Sequence, residues 1–342
     1  MSRSLRVMVL MHEDLMPPES LTGYSELEIL DWKTEFDVVA GLETLGHDVM
    51  QVGVASDLSV LDNALDDFRP HITFNLLEEF HGVAVYDYYV VSFMELKRRR
   101  YTGCNPRGLM LAHDKALSKQ ILTYHRVAVP KCAEFTIGKK VKRPSRLQFP
   151  LIVKSLVEDG SVGIAQASVV YNDEKLVERV HFIHEQIGTD AIAEQYIDGR
   201  ELYVGVIGNQ RLQTLPIWEL LMPKLPNDAP RIATSKIKWD PKYQKQIGVK
   251  TAEAQDLRGP AGEHIRNLCK RAYSILGLTG YARMDLRLTD DGRAYLIEAN
   301  PNPQLSYGED FAESAHHVGL EYEALLERII NLGMRYRPLW KQ

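Results

Sequence analysis

Two periods of apolar residues alternate along this chain. Residues 5–11 form a nearly continuous apolar run, the pattern of a strand buried on both faces. Over residues 35–45, Phe36, Val39, Ala40 and Leu42 take helical spacing, and Gly46 fits a C-terminal cap. Residues 47–54 and 71–77 return to the strand pattern, 86–96 to the helical one, and Tyr101-Thr102-Gly103 reads as a short strand. This alternation predicts a parallel, doubly wound first lobe ending near residue 110.

The pattern then changes. Asp114 is placed to cap a helix running to about His125. Pro130, Pro144 and Pro150 punctuate the next stretch, and residues 151–155, 191–196 and 201–207 read as strands. A glycine-bearing turn occupies 158–164. These elements predict a smaller α+β lobe over residues 111–205. Residues 206–342, with a proline-rich stretch at 222–230 and helices near 262–276 and 322–332, make a third lobe. A chain of 342 residues is too long for one small core, which agrees with three lobes.

Composition narrows the function classes. A net charge of −5 gives no reason to expect nucleic acid or a membrane surface as partner. The blocks Lys97-Arg98-Arg99-Arg100 and Lys139-Lys140 are short and read as solvated helix ends or loops. Cys104, Cys132 and Cys269 are far apart and in no metal-ligand spacing, which points to packing residues in a reduced, cytoplasmic protein. The first apolar run is short and leads into His12-Glu13-Asp14, unlike a signal peptide, and no run is long enough to span a bilayer.

The candidate chemistry starts in YARMDLRLTDDGRAYLIEANPNPQ. Asp291-Gly292 is a strong hairpin signal, because both residue types tolerate positive φ. A two-residue loop there sets Asp290 against Arg293, Asp285 against Glu298 and Arg283 against Asn300, with the last two pairs on one face. Carboxylates directly opposed in a sheet repel, so something positive belongs between them. Arg283 and Arg287 are candidates. So is a divalent cation, since two carboxylates and an amide oxygen make the hard ligand set that Mg²⁺ prefers. On a solvated hairpin the same residues would form ordinary surface pairs. Pro301 and Pro303 then end the ladder.

A second signal is FPLIVKSLVEDGSVGIA. Lys154 ends a strand just before Gly160-Ser161-Val162-Gly163. Such glycines let backbone N–H groups converge on an anion, and equally serve a plain tight turn. The run is neither a Walker A loop nor a Rossmann fingerprint. In AIAEQYIDGRELYVGV, Glu194 and Tyr196 share a strand face and Glu201 lies beyond Asp198-Gly199. Asp114-Lys115 stands at a helix start.

Taken in order, YTGCNPRGLMLAHDKALSK, FPLIVKSLVEDGSVGIA, AEQYIDGRELYVGVIG, YARMDLRL and YLIEANPNP resemble the ATP-grasp superfamily, and within it the D-alanine–D-alanine ligase branch. The resemblance is best over residues 101–332. It implies an α/β ATP-grasp fold: an N-terminal doubly wound parallel-sheet lobe followed by two α+β lobes that sandwich ATP. It implies an ADP-forming carboxylate–amine ligase working through an acyl phosphate, with small-molecule carboxylate and amine substrates and room for a homodimer. Carried over by position, Lys115 and Lys154 would bind ATP phosphates under the loop Gly160, Ser161, Val162 and Gly163. Glu194 would accept from the adenine amino group, with backbone contacts from Gln195 and Ile197. Glu201 would hold the ribose. Asp285, Glu298 and Asn300 would bind two Mg²⁺ ions, with Mn²⁺ as a substitute. Arg283 would stabilise charge at the acyl carbon, and Lys238, or its competitor Lys236, would cover the γ-phosphate.

The substrate half departs from that branch. Gly160 stands where the dipeptide ligases carry a serine, and Trp239 where they carry a tyrosine. Their N-terminal glutamate has four candidates here: Glu13, Glu19, Glu28 and Glu35. Glu309 and Asp310 fall where a second substrate's carboxylate would bind, and favour a cationic amine instead. If these acids only head a helix, their charge serves its dipole. Four readings follow: a ligase with other substrates, a D-alanine–D-alanine ligase with a rewired pocket, a silent nucleotide-binding module, or a kinase. A mere binder has no use for Arg283.

Overall fold

The computed structural model describes residues 4–157, 163–226 and 229–338, apart from the side chains of Glu26, Leu27 and Trp239. Its strands form three sheets. The first is parallel, built from β1 (Arg6–His12), helix α1 (Glu26–Thr44), β2 (Asp48–Val54), α2 (Leu58–Phe68) and β3 (Ile72–Asn75), followed by α3 (Asp87–Leu96) and α4 (Pro106–His113). The order β2-β1-β3 puts β1 in the middle, which is why Val7 to Met11 are all fully buried and read as one apolar run.

Two local expectations change. Helix α1 begins at Glu26 and not at residue 35, because Ser25 and Glu28 form a capping box. Tyr101 makes only an isolated bridge to Thr73, so residues 101–103 are not a strand. Helix α2, with Asp57 as its cap and Leu61, Ala64 and Leu65 buried, was not anticipated.

The second sheet is antiparallel. Helix α5 (Lys115–Tyr124) precedes β4 (Cys132–Phe135), β5 (Leu151–Ser155), β6 (Val169–Val170), α6 (Asp173–Phe182) and β7 (Ala191–Gln195), in the order β4-β7-β5-β6. The Asp114 carboxylate accepts from the N–H groups of Ala116 and Leu117, the expected cap of α5. Leu151, Val153, Ala191 and Ala193 pack with Leu176 and Val180 of α6. Alternation therefore turns Ile152, Lys154, Ile192 and Glu194 to the opposite face.

The third sheet, also antiparallel, runs β10-β9-β8-β11-β12. Its elements are β8 (Arg200–Ile207), β9 (Gln213–Leu221), α7 (Ser235–Trp239), α8 (Pro241–Ile247), β10 (Lys250–Glu253), α9 (Glu263–Ile275), β11 (Tyr281–Leu288), β12 (Ala294–Pro301), α10 (Asp310–His316) and α11 (Tyr322–Arg335). Leu202, Val204, Val206, Met284 and Leu286 pack with Ile265, Cys269 and Ala272 of α9. The odd-numbered residues Glu201, Tyr203, Arg283, Asp285 and Arg287 then share the other face.

The β11–β12 hairpin reaches the expected polar pairing by an unexpected route. Arg283 lies opposite Asn300 and Asp285 opposite Glu298. The loop, however, has three residues. The Thr289 N–H donates to the Arg293 carbonyl at 3.0 Å, and Gly292 takes φ +80°. Pairing is thereby offset, with Leu288 against Ala294, until a bulge beside Asp285 restores it. Without that bulge Glu298 would point to the opposite face. The extra residue is Ile297, whose carbonyl accepts from Lys119 Nζ at 2.5 Å.

Candidate active site

The polar faces of the second and third sheets bound one cleft. Ile152, Lys154 and Glu194 line it from β5 and β7, and Glu201, Asp285, Arg287 and Glu298 from β8, β11 and β12. Gln195, Tyr196 and Ile197 cross between the sheets, and Ile232, Ala233 and Lys238 complete the lining.

A buried ionic trio forms one wall. Lys119 Nζ lies 3.0 Å from the Glu194 carboxylate and Lys154 Nζ 3.2 Å from the same oxygen. Burial would push the Glu194 carboxyl up, yet the two lysines outweigh it and hold it below its ordinary value. Burial lowers Lys119 in turn, and Lys154 lowers it further against the pull of Glu194. Lys154 also approaches Glu298 at 3.8 Å, so it bridges the two walls. Lys119 was missed in the sequence reading. Its signal was present: it stands one turn after Lys115 on a capped helix, so the two share a face.

On the facing wall each arginine has taken one acid. Arg283 donates to both oxygens of Asp285, at 2.7 and 2.9 Å, and stacks over the Tyr203 ring at 4.8 Å. Arg287 donates to Glu201 at 2.5 Å and to the Gly199 carbonyl at 3.0 Å, while the Tyr203 hydroxyl donates to the other Glu201 oxygen at 2.9 Å. Glu201 is thus fixed at the cleft margin with its carboxylate oriented. Burial pushes Asp285 up to about 6 despite Arg283, and the facing Glu298 adds to the rise.

That residual repulsion is what a cation would relieve. The Asn300 amide nitrogen is buried without a hydrogen-bond partner among the described residues, and its register with Arg283 puts it beside the two acids. The nitrogen is a donor and takes no part in metal binding, but the two opposed carboxylates and the Asn300 side-chain oxygen are the hard donor type a divalent cation takes. Among the described residues no three His, Cys, Asp or Glu side chains gather for a metal, so the amide and non-protein oxygens would have to complete the shell.

The remaining candidates fall as follows. Lys115 is buried at the first position of α5, and its backbone N–H donates to the Leu156 carbonyl, close to the glycine segment. Gly163 takes φ +69°, and a Cβ there would lie 3.1 Å from Ile187. Gly160, Ser161 and Val162 lie outside the described residues, as does the Trp239 side chain. Lys238 faces the cleft, whereas Lys236 stacks on Tyr243 at 4.5 Å away from it. The Gln195 N–H donates to the Lys131 carbonyl at 2.8 Å, and Ile197 is buried. Among the four glutamates, Glu13 and Glu19 are exposed and Glu28 serves the Ser25 cap. Glu35 alone of the four is buried, 5% exposed. Glu309 and Asp310 stand at the head of α10, exposed and half-buried respectively.

Comparison with known proteins agrees with this architecture. A family model described as D-ala D-ala ligase C-terminus matches residues 121–331. The D-alanine–D-alanine ligase of Desulfotalea psychrophila is 30% identical over 285 residues, covering 82% of this chain and 83% of that one. The uncharacterized protein y4sG of Sinorhizobium fredii is 28% identical over 307 residues, 87% of this chain and 86% of its own. Among solved structures, the D-alanine–D-alanine ligase from Bacillus anthracis complexed with ATP superposes with a TM-score of 0.74 at 21% identity, covering 97% and 98% of the two chains. The shared fold is the α/β ATP-grasp architecture expected from the sequence motifs. Among the described residues no helix is long and apolar enough to cross a membrane.

Proposed function

The chain belongs to the D-alanine–D-alanine ligase family, and from that membership we propose that it is an ATP-dependent, ADP-forming ligase joining a carboxylate to an amine. The observation that carries this reading is the two-walled cleft in which Lys154 bridges Glu194 and Glu298 opposite the Arg283–Asp285 pair. A site for binding nucleotide alone would have no use for a guanidinium held beside the opposed acids.

In this reading the adenine lies between the sheets against Glu194, Gln195 and Ile197, and Glu201 holds the ribose hydroxyls. Lys115 and Lys154 face the phosphates, with Gly160, Ser161, Val162 and Gly163 closing over them and Lys238 meeting the γ-phosphate from α7. Asp285, Glu298 and Asn300 would hold Mg²⁺, which supplies charge neutralisation when bound. A substrate carboxylate oxygen attacks the γ-phosphorus, the bond to ADP breaks, and an acyl phosphate forms. A neutral amine then attacks the acyl carbon, the carbon–oxygen bond to phosphate breaks, the departing phosphate takes up the proton the amine loses, and the amide and inorganic phosphate leave. Arg283 stabilises the negative charge that builds on the acyl oxygen. Shielding by the cover segments keeps water from hydrolysing the acyl phosphate.

A genuine D-alanine–D-alanine ligase is the second reading, favoured by the name of the 30% identical relative. Gly160, Trp239 and the Glu309-Asp310 pair disfavour it, since they replace groups that would recognise D-alanine. The test is phosphate release from ATP and Mg²⁺ with amino acids offered singly and in pairs. The proposal expects release only with a matched carboxylate and amine. Release with D-alanine alone would select the second reading, and no release with any pair would remove both.

A further inference from the structure

A second cavity lies outside the cleft. It measures about 330 Å³ and opens where the segment after the glycines meets helices α6, α7 and α8. One water needs only about 10–15 Å³. Gln166 lines the cavity from the segment after the glycines, Arg179 and Phe182 from α6, and Lys236 and Tyr243 from α7 and α8. Phe182 and Lys236 are exposed, so the space is reachable from solvent. Ile164 lines both this cavity and the cleft, and the two spaces adjoin there.

The charge of the cavity is one-sided. Arg179 and Lys236 line it, and among the described residues no acid does. Arg179 is 8% exposed, and burial lowers its guanidinium from the ordinary value with no neighbouring acid to counter it. One of its amino groups donates to the Gly163 carbonyl, and the guanidinium lies 4.2 Å from the centre of the Phe182 ring. Its Nε–H is buried without a partner among the described residues, and so are both polar atoms of the Gln166 side chain. Two acids of α6 are taken by other cations, Asp173 by Arg143 and Glu178 by Lys175. Lys236 rests over the Tyr243 ring at 4.5 Å. A cation desolvated without a counter-charge is costly, and an anion in the cavity would offset that cost. A guanidinium matches phosphate oxygens with paired donors, and an ammonium adds a point charge.

The cavity also sits at a working junction. The Ser235 N–H donates to the Ile164 carbonyl at 3.0 Å, which ties α7 to the segment after the glycines. Helix α7 carries Lys238 to the cleft. An anion held by Arg179 and Lys236 would add a second tie, from α6 to α7.

We propose that this cavity is a binding site for a phosphate-type oxyanion, free or as the ester of a small metabolite, held by Arg179, Lys236 and Gln166. It is separate from the cleft lined by Lys154 and Glu298, and it does not depend on the ligase reading.

The test is calorimetric titration of the full chain at physiological ionic strength, with the cleft filled by a non-hydrolysable ATP analogue and Mg²⁺. The probes are inorganic phosphate and glycerol 3-phosphate. At least one should bind at one site per chain, and the tighter of the two tells whether the free ion or an ester is preferred. Arg179→Gln should weaken that binding at least about ten-fold, the scale of one charge-assisted hydrogen bond. Lys236→Met, a change at an exposed position, should weaken it about three-fold and decides the matter if the Arg179 variant does not fold. Lys154→Ala should leave it unchanged, and this control holds whether or not the analogue binds. Absence of binding by both probes, binding that survives both cavity substitutions, or binding lost in Lys154→Ala overturns the proposal.

Discussion

Glu35→Gln offers a measurement that needs no substrate. Burial, reinforced by the charge of Glu78, pushes the Glu35 carboxyl from 4.5 up to about 7. The folded chain therefore holds this proton over a pH range in which the unfolded chain has released it. The stabilisation is complete below about pH 4.5 and is lost as pH rises through 7. At about 1.4 kcal/mol per pH unit, the span corresponds to about 3 kcal/mol. Glutamine has nearly the same volume and no proton to lose. Near pH 4 the two proteins should be about equally stable, and by pH 8 the variant should be more stable by about 3 kcal/mol. Urea melts of both proteins from pH 4 to 8.5 measure this directly, and acids that do not act on Glu35 cancel in the difference. Parallel stability curves, or a variant that is the weaker protein at pH 8, would refute the reasoning.

Four further outcomes are expected. Lys154→Ala should weaken ATP binding by about 1–3 kcal/mol in calorimetry, the scale of a charge-assisted hydrogen bond lost from a buried site. Lys119→Met breaks one arm of the buried pair on Glu194 and should cost roughly 3 kcal/mol of stability in urea melts. Glu298→Gln should fold normally by circular dichroism yet lose most turnover, since it removes one of two opposed charges at similar volume. D-alanine as sole amino acid should give little ADP, because a site lacking the hydroxyls that recognise a substrate discriminates against it by several kcal/mol; rapid ADP formation would reverse that view.

Much of this architecture is local and therefore legible along the chain. A strand buried on both faces writes itself as an apolar run, as in β1, and Asp114 announces α5 because a cap bonds only to its near neighbours. The pairing of Asp285 with Glu298 was readable from a turn and a period of two. Even there, two departures cancelled. The turn holds three residues and a bulge at Ile297 restores the register, and that bulge is anchored by Lys119 from a different helix. The start of α1 was also local, in the Ser25–Glu28 box, but its weak amphipathic pattern hid it.

What the chain alone could not disclose is which charges meet. Lys119 and Glu194 are far apart in sequence, as are Arg287 and Glu201; the first pair forms where helix α5 meets strand β7, and the second across the neighbouring strands β11 and β8 of one sheet. Glu35 reads as one of four equivalent glutamates until packing buries it and leaves the other three to solvent or a cap. A side chain's face follows from backbone period, which is a property of its own segment. Its partner and its solvation follow from how separate segments pack, so the pairing of Asp285 with Glu298 could be read along the chain, whereas the burial of Glu35 emerged only in three dimensions.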